Sequence, residues 1–474
     1  MSTRAAIAIP LGFALACSPS PAHPDARPPS VSSDGQGIAG TYEITAVAKA
    51  REFAVQASFA PGPGADLTLD ASGRDHVRDV EVEHAGAWAA IAPHDGTWTL
   101  PKSEAERRVR YRFLLAEAAA ANDDVGTARL DGDAVESPPS TWLLRPDGVA
   151  PDARFRFHVT SAAGESFVTG VFPAAGARDV YEVRAAAMER LPYSAFGALG
   201  VHELESGLVA AILPGTLQHE DEVLDWIRTS ARTVAGFYGR RPTEQLLVIV
   251  RPRQGGRVVS GMTMGNGGAS IAIDVGAEAT SAVFGADWVL VHEMTHTALP
   301  ELAAPYHWLE EGLATYVEPL ARAQAGLLPV DRVWSEWVRE MPNGLPAAGD
   351  GGLDGTRSWG RTYWGGALFC LLADVEIRER TQGTKSLGDA LRGILAAGGN
   401  IATHWTIERV LEVGDAATGV PVLRETHDRM KDAAVDVDLP AFWKRLGVAR
   451  KGRGVSFDDA APLAAIRKAM TAAH

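Results

Sequence analysis

The first half of the chain is a series of short runs in which apolar and polar residues alternate. Between residues 41 and 186 these runs are rich in β-branched and aromatic residues, and glycine, proline and aspartate separate them. Alternation with a period of two puts every second side chain on one face of a strand. The clearest predicted strands are residues 53–59, 66–69, 80–82, 108–114, 154–159 and 180–183. The pattern predicts an antiparallel β-sandwich domain over residues 40–190.

Near residue 191 the pattern changes to a mixture of helical and strand periodicities. Residues 220–238 have apolar positions at helical spacing, whereas residues 245–250 and 270–274 are short apolar runs typical of buried strands. Two further helices are predicted, one from residue 288 to Pro300, where proline ends it, and one over residues 308–320. We expect a mixed α/β domain over residues 191–330.

Helical periodicity dominates the remainder of the chain. The predicted helices are residues 359–380, 386–397, 406–412, 422–431 and 440–446. The glycine-rich residues 342–355 are expected to form a loop or a hinge. A third, helical domain is therefore predicted over residues 331–474, and the fold class of the whole chain is α+β multidomain.

Composition narrows the class of protein. With 474 residues, 46% of them hydrophobic, the chain is long enough to build several cores. Its formal net charge of −14 argues against binding to nucleic acid, which requires a concentrated basic surface. After the N-terminus, no apolar stretch is long enough to span a bilayer.

The N-terminus has the features of an export signal. Arg4 precedes an apolar run over residues 5–16, and residues 14–17, Ala-Leu-Ala-Cys, resemble a bacterial lipobox. We expect residues 1–17 to be a lipoprotein signal peptide, Cys17 to be the lipidated residue and residues 18–39 to be a flexible tether. The protein would then be an exported lipoprotein of the cell envelope, on the outer surface or in the periplasm, anchored to the membrane through Cys17. Simple secretion and an unprocessed cytosolic chain are the alternatives. Cys370 lies in an apolar stretch and is expected to be a buried small hydrophobe.

The most informative motif is His292-Glu293-Met294-Thr295-His296, which has the form HExxH. On a helix the spacing of four residues stacks His292 and His296 on one face, so that both imidazoles can bind one metal ion. Glu293 would then lie over the open coordination position. Glu311, on the following predicted helix, can complete three protein ligands, the number expected of a catalytic zinc site.

Other ligand sets are possible. A metzincin site would need glycine and histidine where the chain has Leu299 and Leu302, so that class is excluded. His307 is a rival third ligand because it lies just before the second helix, although a rim or capping role is the more common one for such a histidine. From the residues alone, Glu310 is as available as Glu311.

A family resemblance resolves this choice. Residues 308–316, WLEEGLATY, resemble the WLxEGxAxY segment of gluzincin metallopeptidases, in which the glutamate before glycine binds zinc. That position is Glu311. A β-domain followed by a thermolysin-like catalytic domain and then helices resembles the glycyl aminopeptidase family of gluzincins, as do residues 363–368, 377–383 and 457–463. Such proteins often carry a C-terminal PDZ domain, for which this chain leaves no room.

The resemblance implies a zinc metallopeptidase acting on peptides or proteins. Zn²⁺ bound by His292, His296 and Glu311 would lower the pKa of its bound water toward about 7, and Glu293 would act as general base. Tyr363 matches the tyrosine that stabilises the oxyanion in aminopeptidase N-like enzymes. Its alternative role is that of an ordinary helix residue with a hydroxyl at the surface.

One departure from related enzymes concerns specificity. Aminopeptidase N and its relatives have a GxMEN loop whose glutamate binds the free amine of the substrate, and Gly265 occupies that position here. We therefore expect an endopeptidase or a broad peptidase slightly ahead of a strict aminopeptidase. The alternative function is a catalytically inactive, lipid-anchored binding or adhesion protein that retains the zincin fold. The intact Glu293 argues against it, because a general base is needed only for catalysis.

Overall fold

The computed structural model of the chain describes residues 37–47, 51–177 and 179–473. The predicted signal peptide, the lipidation site Cys17 and most of the predicted tether lie outside the described residues. Strands dominate the first half of the described chain and helices dominate the second, which confirms the coarse fold prediction.

The strands are β1 Ile38–Val47, β2 Glu52–Phe59, β3 Ala65–Thr68, β4 Val77–His84, β5 Ala87–Ala90, β6 Trp98–Leu100, β7 Arg107–Phe113, β8 Arg129–Asp131, β9 Ala134–Glu136, β10 Arg145–Pro146, β11 Arg154–Thr160, β12 Ser166–Thr169, β13 Val180–Arg184, β14 Ser194–Gly197, β15 Gly200–Glu205, β16 Leu208–Ile212, β17 Leu246–Arg253, β18 Val258–Met264, β19 Ser270–Gly276, β20 Val448–Lys451 and β21 Gly454–Phe457. The helices are α1 Ala71–Arg74, α2 Leu115–Asn122, α3 Glu220–Tyr238, α4 Ser281–Ala286, α5 Val289–His296, α6 His307–Gln324, α7 Val330–Glu340, α8 Gly366–Arg380, α9 Leu387–Ala396, α10 Ile407–Thr418, α11 Val422–Met430, α12 Leu439–Leu446 and α13 Ala464–Met470.

The first strands form a seven-stranded sheet in the order β13-β11-β1-β2-β7-β4-β5. All of its strand pairs are antiparallel except β1 with β11, which is parallel, so the predicted antiparallel arrangement has one exception. Two smaller sheets, β10-β3-β6 and β12-β14-β9-β8, accompany it. The packing of these sheets as a sandwich stays a prediction.

Alternation along the strands explains how the sheet builds its core. In β2, Phe53, Val55 and Phe59 are buried, whereas Gln56 between them is exposed. The buried face of β2 and its neighbours packs into one hydrophobic cluster centred on aromatic side chains such as Trp142. This periodicity of two is the signal that made the strands predictable.

A five-stranded sheet in the order β15-β16-β17-β19-β18 supports the candidate site. The central pairs β16-β17 and β17-β19 are parallel, and β18 pairs antiparallel with β19 at one edge. The predicted strands at 245–250 and 270–274 correspond to β17 and β19, and the predicted helix at 220–238 has the bounds of α3. The edge strand β18 was not predicted.

Each helix predicted after residue 287 is present, and the same part of the chain contains some further elements. The helix predicted at 359–380 begins instead with a π-helical segment, Gly360–Gly365, and only then continues as α8. Helix α7 and the hairpin β20-β21 were not predicted. The described residues belong to one compact unit, within which the predicted domain boundaries stay a prediction. In the described part of the chain, every helix is too short or too polar to traverse a bilayer.

Candidate metal centre

Two helices bring the HExxH motif and Glu311 together. Helix α5 carries His292, Glu293 and His296, and its buried apolar residues Leu290 and Met294 anchor it in the core. The two imidazole rings lie on one face of α5 in an edge-to-face arrangement, with their centroids 5.0 Å apart and their planes at 83° to each other. Glu311 extends toward them from the beginning of α6.

The geometry fits a metal ion. The Nε2 atom of His292 lies 3.2 Å from Glu311 Oε2, and the Nε2 atom of His296 lies 3.6 Å from the same oxygen. Ligand atoms about 2.0–2.1 Å from a tetrahedral zinc ion are separated by roughly 3.3 Å, so these distances suit such an ion. Within the described residues, His292, His296 and Glu311 are the group of potential ligands whose atoms converge in this way.

The charges of these groups support one another. Burial alone would lower the pKa of His292, but its hydrogen bond to Glu311 and the charges of Glu293 and Glu311 outweigh burial and raise it. Burial would likewise raise the pKa of Glu311, but the histidines around it reverse this effect and lower the pKa to about 2. Glu311 is therefore ionised at neutral pH, which is the state that a metal ligand requires.

His307 and Glu310, the rival ligands, take other positions. The carboxylate of Glu310 accepts a hydrogen bond from the backbone N–H of Leu302 at 3.0 Å and pairs with Nδ1 of His307 at 3.0 Å. The Nε2 atom of His307 lies 3.5 Å from Oε1 of Glu311, the oxygen farther from the HExxH histidines. His307 can therefore orient Glu311 without joining the converging set.

The edge strand β18 lies against Glu293. The hydroxyl of Thr263 is 2.6 Å from Oε2 of Glu293 and 2.9 Å from its backbone oxygen. A Cβ atom added to Gly261 would lie 2.6 Å from Cγ of Glu293, so only glycine fits there. Sequence reasoning missed both roles, because the glycine-rich residues 261–268 have the composition of a flexible turn.

Tyr363 lies on the π-helical segment and faces the same centre. Its ring is stacked near His292 with the centroids 6.4 Å apart. Burial raises the pKa of its hydroxyl, and the negative charges of Glu311 and Glu293 and a hydrogen bond with Glu311 raise it further. The hydroxyl keeps its proton at neutral pH and can donate a hydrogen bond within the site.

The backbone is closely packed around Gly265. A Cβ atom on Gly265 would come within 2.2 Å of the carbonyl oxygen of Ile401. The next residue, Asn266, has φ of 68° and donates to the carbonyl oxygens of Ala187 and Arg190. A side chain at position 265 would therefore displace the segment around Ile401.

Comparisons with known proteins give a fold and no closer relationship. The sequence matches no family model and no curated protein. The structure is similar to an aminopeptidase N family protein from Idiomarina loihiensis, with a TM-score of 0.64 and 14% identity over 86% of this chain and 78% of that one. It is also similar to an M1 zinc metallopeptidase variant from Deinococcus radiodurans bound to a Tyr-Ser-Ala substrate, with a TM-score of 0.53 and 14% identity over 85% of this chain and 95% of that one. The chain shares the mixed fold of these M1 peptidases.

Proposed function

We propose that the protein is a zinc-dependent peptidase. The observation that carries this proposal is the convergence of His292, His296 and Glu311 beside Glu293, a carboxylate that is not in the ligand set. The solved structures with the same fold include zinc metallopeptidases, one of them bound to a peptide substrate. A binding protein would need the ligands but not the base.

The residues around the centre have complementary roles. When bound, zinc would acidify a water molecule and polarise the carbonyl of the scissile bond. Glu293 takes a proton from the attacking water and delivers it to the leaving amine. Thr263 holds Oε2 of Glu293, which leaves Oε1 for the proton. Tyr363 donates a hydrogen bond to the oxygen on which negative charge develops.

We also propose that internal bonds are cleaved ahead of N-terminal residues. The related folds belong to aminopeptidases, but Gly265 supplies no carboxylate for a substrate amine, and the carbonyl of Ile401 occupies the space behind it. Glu301 lies near the Met264 end of β18, because its partner Arg190 also contacts Met264. The carboxylate of Glu301 is paired with Arg190 at 3.4 Å and with His404 at 3.1 Å. Its negative charge is therefore already balanced and is not free to bind the amine of a substrate.

The decisive experiment compares the zinc-loaded protein with its Glu293→Gln variant on a mixed peptide library read by mass spectrometry. Loss of the base should lower the rate about 10²–10⁴-fold while zinc stays bound, because Glu293 is outside the ligand set. Internal cuts would support endopeptidase action, and removal of single N-terminal residues would establish an aminopeptidase. Stoichiometric zinc without turnover would favour the inactive binding protein.

Tyr363 can be tested in the same assay. Tyr363→Phe removes one hydroxyl and keeps the ring beside His292, so kcat should fall about 10²–10³-fold with zinc content unchanged. An unchanged kcat would show that the hydroxyl does not act on the substrate, and would assign Tyr363 a packing role.

Localisation rests on the sequence alone. We propose that the chain is exported and anchored through lipid on Cys17, since residues 14–17 have the form of a lipobox. Incorporation of labelled fatty acid into the wild type but not into Cys17→Ser would support this assignment. A cleaved, unlipidated product in the medium would show simple secretion instead.

A further inference from the structure

The π-helical segment that carries Tyr363 contains one charged residue, Arg361, whose side chain is buried. The guanidinium of Arg361 donates to the carbonyl oxygen of Gly344 at 2.6 Å through Nη1 and to Oδ1 of Asp350 at 3.3 Å through Nη2. Nε of Arg361 lies 2.8 Å from Oδ2 of the same aspartate, a charge pairing that does not have the geometry of a hydrogen bond. The two side chains are only 3% and 1% exposed, so solvent screens this pair little.

Arg361 fastens the π-helical segment to the loop that precedes it, residues 341–359, here called the linking loop. A Cβ atom on Gly344 would lie 2.3 Å from the backbone of Trp364, and one on Gly360 would lie 2.3 Å from the carbonyl oxygen of Asn343. The backbones of the linking loop and the segment are therefore in direct contact at two points. The guanidinium adds a buried charge to this contact, and a buried charge is costly to leave without its partner.

The linking loop is also fastened to the helix that carries Glu311. Trp308, at the start of α6, donates through Nε1 to Oδ1 of Asp354 at 2.9 Å. The loop backbone around Asp354 donates in addition to the carbonyl oxygens of two residues at the end of α11. Glu311 is three residues after Trp308, so one loop connects the segment of Tyr363 with the helix of a proposed metal ligand.

The π-helical form of the segment requires support from outside the helix. A π-helical turn is rare and occurs mostly as a single-turn bulge within an α-helix. Residues 360–365 continue directly into α8, so relaxation to α-helical hydrogen bonding would turn Tyr363 to another angle about the axis. A donor acts on a developing oxyanion at about 2.7–3.1 Å, so a small rotation would separate the hydroxyl from its acceptor. The buried charge pair of Arg361 opposes this rotation.

We propose that Arg361, paired with Asp350, is a positioning residue that keeps the hydroxyl of Tyr363 directed at the candidate metal centre. This inference rests on the proposed peptidase function and adds to it a residue that acts only through Tyr363. Lysine in place of Arg361 keeps the charge but has no planar fork, so it cannot hold Gly344 and Asp350 in the same way.

The test is a cycle of variants at positions 361 and 363 of the zinc-loaded protein, with steady-state kinetics on one cleaved peptide. Arg361→Lys should lower kcat about tenfold or more with KM and zinc content nearly unchanged, because misplacing a catalytic group by about 1 Å costs up to about 10²-fold. In the Tyr363→Phe protein the same substitution should change kcat less than about twofold, since the hydroxyl that it misplaces is already absent. An equal loss in both backgrounds would overturn the proposal and assign Arg361 to general stability.

Asp350→Asn tests the proposal a second way, without changing Arg361. It removes the opposite charge and keeps the hydrogen bond from Arg361 to Gly344. It should lower kcat in the wild-type background and leave kcat of the Tyr363→Phe protein unchanged. If neither Asp350→Asn nor Arg361→Lys lowered kcat, the proposal would be wrong.

Arg467→Lys is the matched control for the loss of a buried arginine. Arg467 is 3% exposed, as Arg361 is, donates to the carbonyl oxygens of Leu446 and Gly447, and is paired with Asp459. The variant should lower the free energy of unfolding but leave kcat of the folded protein unchanged. A loss of kcat as large as that of Arg361→Lys would show that the effect is not specific to the Tyr363 segment, and would overturn the proposal.

A binding measurement separates this proposal from the peptidase function. The probe is a phosphinic peptide, in which a tetrahedral phosphinate replaces the scissile bond and offers its oxygens to the hydroxyl of Tyr363. Calorimetry on the zinc-loaded proteins should show about tenfold weaker binding to Arg361→Lys than to wild type, and no such difference in the Tyr363→Phe background. This pattern without turnover by the wild type would refute the peptidase and retain the role of Arg361. Equal affinity of wild type and Arg361→Lys would overturn that role whether or not peptides are cleaved, and a phosphinate that the wild type does not bind would overturn both proposals.

Discussion

At the scale of single residues, Thr263 shows how a side chain outside the HExxH motif can orient the proposed general base, Glu293. Its hydroxyl lies 2.6 Å from Oε2 of Glu293, and a hydrogen bond to a charged group is worth about 1.5–3 kcal/mol. Thr263→Val keeps the shape but loses this bond, so kcat should fall about tenfold or more while KM changes little. Steady-state kinetics on a cleaved peptide measures both constants.

The matched variant for this prediction is Thr263→Ser, which keeps the hydroxyl and removes a methyl group. It should recover most of the activity, because the effect is assigned to the hydrogen bond. A serine variant as slow as the valine variant would instead assign the role of Thr263 to packing in the edge strand.

The sequence predicted individual residues best where a fixed spacing carries the chemistry. The i, i+4 spacing of His292 and His296 requires only a helix, and a family resemblance chose Glu311 over Glu310. Thr263 had no such signal, because its position beside Glu293 depends on the pairing of β18 with β19, which is a tertiary fact. Residues contributed by an edge strand are therefore the ones that sequence reasoning misses.

At the scale of elements, the close crossing of α6 and α8 determines where Glu311 lies. A Cβ atom on Gly312 would come within 2.3 Å of the backbone of Gly366, so the two helices meet there without side chains. Gly312→Ala should force them apart and destabilise the protein by about 1–3 kcal/mol, the usual cost of overpacking. Zinc affinity should fall as well, since Glu311 is the neighbouring residue. Denaturant unfolding and a zinc titration measure the two effects.

Gly236→Ala is the control for this prediction. Gly236 lies within helix α3, and a Cβ atom added there would meet no neighbouring atom within 4 Å. Alanine at this position should stabilise the protein by about 0.5–1 kcal/mol, because it is the better helix former. If both variants were stabilised, the α6–α8 crossing would not be under steric constraint.

Elements with strong periodicity were predicted and those shaped by contacts were not. Helix α3 has its predicted bounds because its apolar stripe is regular and Gly239 ends it with φ of 77°. The π-helical segment Gly360–Gly365 was predicted as α-helix, since both forms share nearly the same local pattern. There the buried Arg361 donates to the carbonyl oxygen of Gly344, and this long-range contact is invisible in the periodicity.

At the scale of the whole molecule, the sequence predicted the order of sheets and helices but not the contacts that join them. Alternation and helical spacing report on which face of each element is buried, and this suffices for the coarse fold. They do not report which buried polar groups meet across elements. Glu136 and Arg251, separated by 115 residues, are such a pair and carried no signal in the sequence.

The buried ion pair of Glu136 and Arg251 joins two sheets. Arg251 on β17 is 2% exposed and Glu136 on β9 is fully buried, and two hydrogen bonds of 2.7 and 2.8 Å join them. Glu136→Gln removes the charge that compensates Arg251, so unfolding should require about 3–5 kcal/mol less. The exposed pair of Glu52 and Arg112 supplies the control, because Glu52→Gln should lower the free energy of unfolding by at most about 1 kcal/mol.

Urea unfolding followed together with zinc release would show whether the loss of stability in Glu136→Gln extends to the metal centre. A Glu136→Gln protein as stable as the wild type would mean that water or Asp274, 3.9 Å from Arg251, compensates the charge, and that the two sheets are joined chiefly by their apolar contacts.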